Sequence, residues 1–160
     1  MGNLYSDETL KHFRNPHNYG EIKNSSGKGE AGNIICGDVM SLYINVVKNK
    51  KGQEIIKNVK FKTYGCAAAI ATSSAVTDLV KGKTIDEALK ISKNDIVDFL
   101  KGLPPIKIHC SILAIDALWE AIYQYLTKNK KTIPQNLIEK HIRIEKGKKQ
   151  IEERYKSWKK

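Results

Sequence analysis

Three cysteines, Cys36, Cys66 and Cys110, are the residues of this 160-residue sequence that are best suited to chemistry. Thiolates are strong ligands for zinc and for iron–sulfur clusters, and they are also good nucleophiles. Asp38 lies two residues after the first cysteine and His109 directly precedes the third, so each adds an oxygen or nitrogen donor. Three sulfurs with one such donor complete a tetrahedral set. No pair is spaced as Cys-x-x-Cys, so the spacing alone leaves open whether these thiols are ligands or packing residues.

Each cysteine is predicted to lie at the end of a secondary structure element. Cys36 precedes Gly37 in a turn that enters a strand. Cys66 follows Gly65 at the junction of a strand and a helix, and Cys110 begins the longest helix. The two glycines allow the backbone to approach a bulky inorganic ligand, and a helix N-terminus favours the thiolate form. This placement favours a metal or cluster site over three structural thiols.

The elements that must position these residues follow from hydrophobic periodicity, which predicts an α+β fold with helices on one face of a small antiparallel sheet. Strands come first in the chain and most helices come later. The predicted elements are a helix over 7–14, a loop over 20–33, an edge strand over 33–36, strands over 39–47 and 55–64, helices over 66–80, 84–91 and about 92–100, a non-helical segment over 101–106, a long helix over 108–126, and a last helix from Pro134 that Gly147 interrupts.

Composition indicates a globular chain with a core, because 41% of the residues are apolar and 28% are charged. The length suits one domain, or one domain with an appendage. The longest apolar run covers only residues 66–71, whereas a membrane span needs roughly 18 such residues. The N-terminal residues show no basic segment followed by an apolar one. We therefore expect a protein of the cytoplasm.

The net charge of +11 is concentrated near the C-terminus. Residues 128–160 carry a net charge of +8, whereas residues 1–127 carry only +3. A basic tail can bind nucleic acid or an acidic protein, but a well-solvated helix is the favoured interpretation. His12, His17 and His141 have no cysteine beside them in the sequence and are predicted to be surface or packing residues.

Four stretches of the sequence are specific enough to suggest a family. They are CGDVM at 36–40, FKTYGC at 61–66, LPPIKIHCSIL at 103–113 and RNPHNYG at 14–20. Together they resemble the iron–sulfur cluster assembly scaffolds of the IscU family, which includes the N-terminal domain of NifU. The resemblance covers about residues 4–127. It implies an IscU-like scaffold domain over 1–127, followed by a basic helical C-terminal extension over 128–160.

The resemblance implies a scaffold without enzymatic activity of its own. A cysteine desulfurase of the IscS or NifS type would deliver sulfur, iron would arrive, and a [2Fe–2S] cluster would form and pass to apoproteins. Cys36, Cys66 and Cys110 would be cluster ligands or persulfide acceptors. Either Asp38 or His109 would complete the ligand set, and zinc is expected to bind when the cluster is absent.

The resemblance also implies partners. A dedicated Hsp70-type chaperone would bind an extended segment, and its J-protein co-chaperone would dock on the scaffold. Two adjacent prolines hold this segment extended in advance, which lowers the entropy cost of binding. An iron donor or ferredoxin, apoprotein acceptors and a second copy of the chain are further expected partners, whereas membranes and nucleic acids are not. The chaperone segment comprises Leu103, Pro104, Pro105, Ile106 and Lys107.

Two alternative functions use the same thiols. In the first, zinc holds a reactive cysteine that accepts sulfur, as in SufU-type proteins, but those proteins have a long insertion that the interval from Cys66 to Cys110 lacks. In the second, a zinc-stabilised module binds nucleic acid through the basic tail. That tail lies outside the thiol-bearing region and has few aromatic residues among its charges, which disfavours this alternative.

Overall fold

An antiparallel sheet with the strand order β1-β2-β3 forms the centre of the fold in a computed structural model that describes residues 4–32 and 38–158. The long helices pack on one face of this sheet, so the predicted α+β class is confirmed. The strands are β1 (Gly27–Gly32), β2 (Val39–Lys48) and β3 (Glu54–Thr63), and the helices are α1 (Asp7–Arg14), α2 (Ala67–Val80), α3 (Ile85–Leu89), α4 (Lys93–Phe99), α5 (Ile108–Lys128) and α6 (Gln135–Trp158).

The hairpin of β2 and β3 supplies the hydrophobic face of the sheet. Met40, Leu42 and Ile44 alternate with more polar residues along β2 and are completely buried. Phe61 lies opposite Leu42 on β3 and is also completely buried. Val46 falls after a register shift and is only partly buried. Period-two alternation therefore predicted both strands correctly.

Strand β1 lies inside the segment that was predicted to be a loop, so that prediction is wrong for residues 27–32. The residues of β1 that face the core are Gly27, Gly29 and Ala31, which carry almost no side chain. A Cβ atom added at Gly29 would overlap Ala117 O and Ala121 N, so the backbone of α5 rests directly on the strand. A strand that buries glycine gives no hydrophobic signal. The predicted edge strand over 33–36 lies outside the described residues.

The segment between α4 and α5 contains a helical turn where the prolines predicted none. Pro104 is extended, with φ −54° and ψ 139°, as expected. Pro105–Lys107 form a 3-10 turn, in which the Lys107 N–H donates to the Pro104 carbonyl at 2.8 Å. Proline fits the first position of a helix because no donor is needed there. The non-helical prediction is therefore wrong for residues 105 and 106.

Helix α6 continues through Gly147, where a break was predicted. Glycine inside a helix costs only about 1 kcal/mol relative to alanine, which tertiary packing readily outweighs. Ile144 and Ile151 flank the glycine and are both buried, and α6 packs against α5 and β1.

None of the helices within residues 4–32 and 38–158 combines the length and the apolar character that a membrane span requires.

Helix α6 is largely exposed, as the prediction of a solvated helix implies, but one side of it docks on α5 through part-buried polar contacts. The Arg143 guanidinium donates to both carboxylate oxygens of Asp116, at 2.7 and 3.2 Å. His141 Nδ1 lies 2.8 Å from Glu120 Oε1, and the His141 ring stacks on Tyr123 with 3.8 Å between centroids. The two acidic residues belong to α5 and are less than a tenth exposed. Part of the basic charge of the tail, that of Arg143, is therefore paired within the molecule.

Burial changes the pKa values of the Asp116 and Glu120 carboxyl groups. Burial raises the pKa of Asp116 and of Glu120 above the ordinary values, although the basic partners on α6 act in the opposite direction. Beside them, Lys140 Nζ lies 3.4 Å from the centroid of the Trp119 ring, in a cation–π contact.

The proposed domain boundary between residues 127 and 128 stays a prediction. Helix α6, which follows this boundary, packs on α5 and β1, which precede it.

Replacing Arg143 with alanine is expected to destabilise the protein by about 1–3 kcal/mol at pH 7, because a buried carboxylate loses its partner. Burial already raises the pKa of Asp116, and loss of Arg143 raises it further. When the pKa of a carboxyl group is higher in the folded state than in the unfolded state, protonation of that group stabilises the folded protein. The loss of stability caused by Arg143→Ala should therefore become smaller as the pH falls through the pKa of Asp116. Urea unfolding of the variant and of wild type between pH 7 and 4 measures this difference in the free energy of unfolding. The Arg143→Ala/Asp116→Asn variant is the control, and a deficit independent of pH would contradict the argument.

Candidate metal and cluster site

Three elements end at the same place and bring Asp38, Cys66 and Cys110 together. Asp38 directly precedes β2, Cys66 is the N-cap of α2, and Cys110 lies in the first turn of α5. One potential ligand atom from each residue lies within 4.8 Å of the other two. The structure therefore gathers three of the five predicted site residues within reach of a single metal ion.

The geometry of the two sulfurs suits metal binding. Cys66 Sγ and Cys110 Sγ are 3.8 Å apart, which is much longer than a disulfide bond of about 2.05 Å. Cys110 is completely buried against Ala68 and Ala69, with Tyr5 packed beside them, whereas Cys66 is partly exposed. One thiol is thus fixed within the core and the other is reachable from outside.

Neighbouring residues hold the three elements in register. Thr63 Oγ1 donates to the Val39 carbonyl at 2.9 Å, which ties the end of β3 to the start of β2. Thr72 Oγ1 donates to the Cys110 carbonyl at 3.2 Å, which ties α2 to the start of α5. These threonines, like Tyr5, give no sequence signal, because their partners are distant along the chain.

Gly65 allows the Asp38 carboxyl group to approach Cys66. A Cβ atom at Gly65 would lie 2.9 Å from Asp38 Cγ and 2.8 Å from the Ala69 Cβ. Glycine is therefore needed here for the contact with Asp38, while the predicted approach of the backbone to an inorganic ligand stays a prediction. Asp38 Oδ2 is buried and has no hydrogen-bond partner among residues 4–32 and 38–158. An acceptor without a donor is a natural ligand for a cation.

Lys107 adds positive charge beside the thiols. The negative charge of a Cys66 thiolate raises the pKa of Lys107, with a smaller contribution from a hydrogen bond between the two side chains. This contact supports a role for Lys107 at the thiol site in addition to its place in the chaperone segment.

His109 and Cys36 are the two predicted site residues that remain. His109 lies next to Cys110 at the start of α5, but it does not belong to the group formed by Asp38, Cys66 and Cys110. Its Nε2 atom is buried without a hydrogen-bond partner in the described part of the chain. Cys36 lies outside the described residues. Both therefore stay predictions.

Sequence comparison identifies the family. The family model described as the NifU-like N terminal domain matches residues 4–132, which is most of the chain. The chain belongs to this family.

Curated relatives of this NifU-like chain carry the name IscU. The chain is 49% identical over 147 residues to "Iron-sulfur cluster assembly scaffold protein IscU 1" of Archaeoglobus fulgidus, covering 90% of this chain and 93% of the relative. It is 50% identical over 127 residues to "Iron-sulfur cluster assembly scaffold protein IscU" of Escherichia coli K12, covering 78% and 95%. Both names describe scaffolds and neither describes an enzyme. The archaeal match must extend into α6, because the residues before α6 make up less than 90% of the chain.

Solved structures confirm the fold of this NifU-like chain. A NifU-like N-terminal protein from Brucella abortus superimposes with a TM-score of 0.62 at 17% identity, covering 78% of this chain and 96% of the other. A protein described as a candidate scaffold for the SUF system from Fervidobacterium islandicum AW-1 gives a TM-score of 0.58 at 24% identity, covering 74% and 96%. At these identities the likeness concerns the fold alone.

The predicted chaperone segment lies next to the thiol site of this NifU-like domain. Pro104 is buried, while Pro105 is exposed and Ile106 is 74% exposed. Leu103 packs against the core and Lys107 faces Cys66. Only the middle of the segment is thus available to a partner in this conformation, and binding of all five residues requires the segment to leave the core.

Among residues 4–32 and 38–158, the structure shows two further groups of potential metal ligands that were not predicted. His12, His17 and Asp78 form one group, and Glu120, His141 and Glu145 form the other. The sequence does not reveal either group, because Asp78 lies 61 residues from His17 and Glu120 lies 21 residues from His141.

Proposed function

We propose that the protein is a scaffold that assembles an iron–sulfur cluster and transfers it to apoproteins. The observation that carries this proposal is the convergence of Asp38, Cys66 and Cys110 at the ends of three elements. Relatives that are about half identical over most of their length are named as such scaffolds. A [2Fe–2S] cluster is the cargo we propose, with Cys36 as a third sulfur ligand and Asp38 or His109 as the remaining one.

Sulfur enters by thiol–persulfide exchange. The thiolate of Cys66 or Cys110 attacks the terminal sulfur of a persulfide on a cysteine desulfurase, the S–S bond breaks, and the donor cysteine leaves as a thiolate. This exchange involves no net oxidation. A reductant such as a ferredoxin then supplies the two electrons that release each persulfide sulfur as sulfide, which joins the incoming iron. The protein contributes the acceptor thiolates, and Lys107 places a positive charge beside Cys66.

The remaining partners and the location belong to the same proposal. The segment from Leu103 to Lys107 binds an Hsp70-type chaperone, whose J-protein docks on the scaffold, and two copies of the chain form a homodimer. Residues 128–160 form an extension to a scaffold domain over 1–127. The reducing cytoplasm, where thiols stay unpaired, is the proposed compartment.

Anaerobic reconstitution with ferrous iron, cysteine and a cysteine desulfurase tests the function. A scaffold develops the visible absorbance of a [2Fe–2S] cluster at a stoichiometry that matches the protein, and then activates an apo-ferredoxin. The Cys66→Ser and Cys110→Ser variants should lose this absorbance. A colourless product that retains zinc and accepts only sulfur would instead support the SufU-type alternative.

The cluster-free protein is expected to bind one zinc ion at its thiolates. Zinc favours four ligands, and the thiolates with Asp38 or His109 supply them. Removal of zinc should lower the melting temperature, because the thiolates then repel each other where three elements meet. Metal analysis and thermal melting with and without a chelator measure both effects. An unchanged melting temperature after complete loss of metal would refute the structural part.

A further inference from the structure

A second group of potential metal ligands lies at the opposite end of α2 from the cysteines. His12 on α1, His17 in the turn after it and Asp78 on α2 each place one ligand atom within 4.8 Å of the others. His17 Nδ1 lies 2.6 Å from Asp78 Oδ2, and the two imidazole centroids are 4.8 Å apart and tilted by 55°. With a helical rise of 1.5 Å per residue, Asp78 lies about 18 Å from Cys66 along α2. The group is therefore separate from the thiol site.

Surrounding hydrogen bonds orient all three side chains. Ser74 Oγ lies 2.7 Å from His12 Nδ1 and accepts the backbone N–H of His17 at 2.8 Å. The side-chain amide of Asn18 donates to Asp78 Oδ1 at 3.4 Å, which leaves Oδ2 facing His17. Metal sites commonly show such an outer layer of hydrogen bonds, which fixes the direction of each ligand.

Burial and charge at this group suit a cation that enters from solvent. The side chain of His12 is 3% exposed, whereas those of Asp78 and His17 are 28% and 52% exposed, so one ligand is fixed and two are accessible. Burial lowers the pKa of His12, and the nearby charge of His17 lowers it further. At neutral pH, His12 is therefore the neutral imidazole, the form with a lone pair for a metal.

The group formed by Glu120, His141 and Glu145 has the same kinds of ligand but is already neutralised. Lys148 Nζ lies 3.0 Å from Glu145 Oε1 and 3.9 Å from Glu120 Oε2, so an ammonium group occupies the place of a cation. Its presence makes that group an internal ion-pair network.

No such ammonium group is found at the first site. Among the described residues, the ion pairs of His12, His17 and Asp78 include no lysine or arginine. Glu8 Oε1 lies 3.9 Å from His12 Nε2 and adds negative charge, although the other oxygen of Glu8 pairs with Lys11 at 3.6 Å. Within this group, the carboxylate of Asp78 is balanced only by a proton on His17, which a metal ion can replace.

We propose that His12, His17 and Asp78 bind one divalent first-row transition metal ion through two imidazole nitrogens and one carboxylate oxygen. Two histidines with one carboxylate are a ligand set that suits Fe²⁺, Zn²⁺ and Co²⁺, and the exposed side leaves positions for water. The metal takes the place of the proton between His17 Nδ1 and Asp78 Oδ2, and a neutral His17 then carries its proton on Nε2. This site contains no sulfur and does not depend on the scaffold function.

Anaerobic titration of the full-length protein with Co²⁺ separates the two sites. Cobalt bound to thiolates gives strong sulfur-to-metal absorbance in the near ultraviolet, whereas cobalt bound to nitrogen and oxygen gives only weak visible bands. We expect a second equivalent to bind without further sulfur-to-metal absorbance. His17→Asn and Asp78→Asn should each weaken that equivalent by about tenfold or more, and leave the first unchanged. His141→Asn is the matched control and should change neither.

The wild-type protein provides a second measurement that needs no substitution. After one equivalent of zinc has filled the thiol site, further zinc should shift the imidazole NMR signals of His12 and His17, and leave that of His141 in place. Thermal melting checks that the variants remain folded. The proposal is overturned if only one equivalent binds, if the second equivalent survives in both His17→Asn and Asp78→Asn, or if the signals of His12 and His17 do not respond.

Discussion

Replacing Gly29 with alanine should destabilise the protein by at least about 3 kcal/mol, at the upper end of the cost of overpacking a core. The added methyl group would overlap Ala117 O and Ala121 N on α5, which are backbone atoms that no side-chain rotation can move. This overlap can be relieved only if α5 moves away from β1, and such a movement would loosen the core that α5 forms with the sheet. Urea unfolding followed by circular dichroism measures the loss.

Gly147→Ala is the matched control for this substitution. Gly147 lies within α6, and a Cβ atom there would have no neighbour within 4 Å among the described residues. Because alanine favours a helix over glycine, this variant should be more stable than wild type by about 0.5–1 kcal/mol. If Gly29→Ala were as stable as wild type, direct contact of the α5 backbone with β1 would be wrong.

The Asp38→Ala variant should keep its cluster longer than wild type and transfer it to an apo-ferredoxin about tenfold more slowly, a typical scale for changes around a metal site. Thiolates are soft ligands that hold iron firmly, whereas a carboxylate is harder and exchanges more easily. Asp38 is the one carboxylate in the group that it forms with Cys66 and Cys110, so we expect it to be the most readily exchanged ligand of the three. His109, next to Cys110, is the ligand that can replace it.

Two measurements test this account of release. The decay of cluster absorbance in air gives the lifetime, and anaerobic transfer gives the rate. Asp86→Asn, which changes an exposed carboxylate on α3, should match wild type in both. Cys66→Ser should instead fail during assembly. Faster loss of the cluster from Asp38→Ala would show that Asp38 holds the cluster and does not release it.

The parts of the fold that were predicted from sequence are those in which side chains carry the signal. Met40, Leu42 and Ile44 alternate visibly along β2, and the Thr84–Glu87 capping box marks the start of α3. Strand β1 was missed because it meets α5 through glycine and alanine. Contact between backbones leaves no hydrophobic pattern to detect.

The candidate site shows the same limit. Cys66 and Cys110 could be predicted because cysteine is rare, and Asp38 because it lies in the CGDVM motif, which resembles a family. The group that contains His12 and Asp78 could not, because only the packing of α1 on α2 brings those residues together. Common polar residues scattered along a chain carry no signal until the fold joins them.

The contacts between α5 and α6 also constrain how this sequence can diverge. Trp119 has its cation–π partner, and Glu120 its hydrogen-bond partner, only while Lys140 and His141 of α6 lie over them. A relative that lost α6 would expose an aromatic ring and a carboxylate that no longer have partners. Positions 119 and 120 should therefore covary with positions 140 and 141 in relatives that have the helix, and drift freely in relatives that lack it. An alignment of relatives would then reveal, from two residues in α5, whether the extension was ever present.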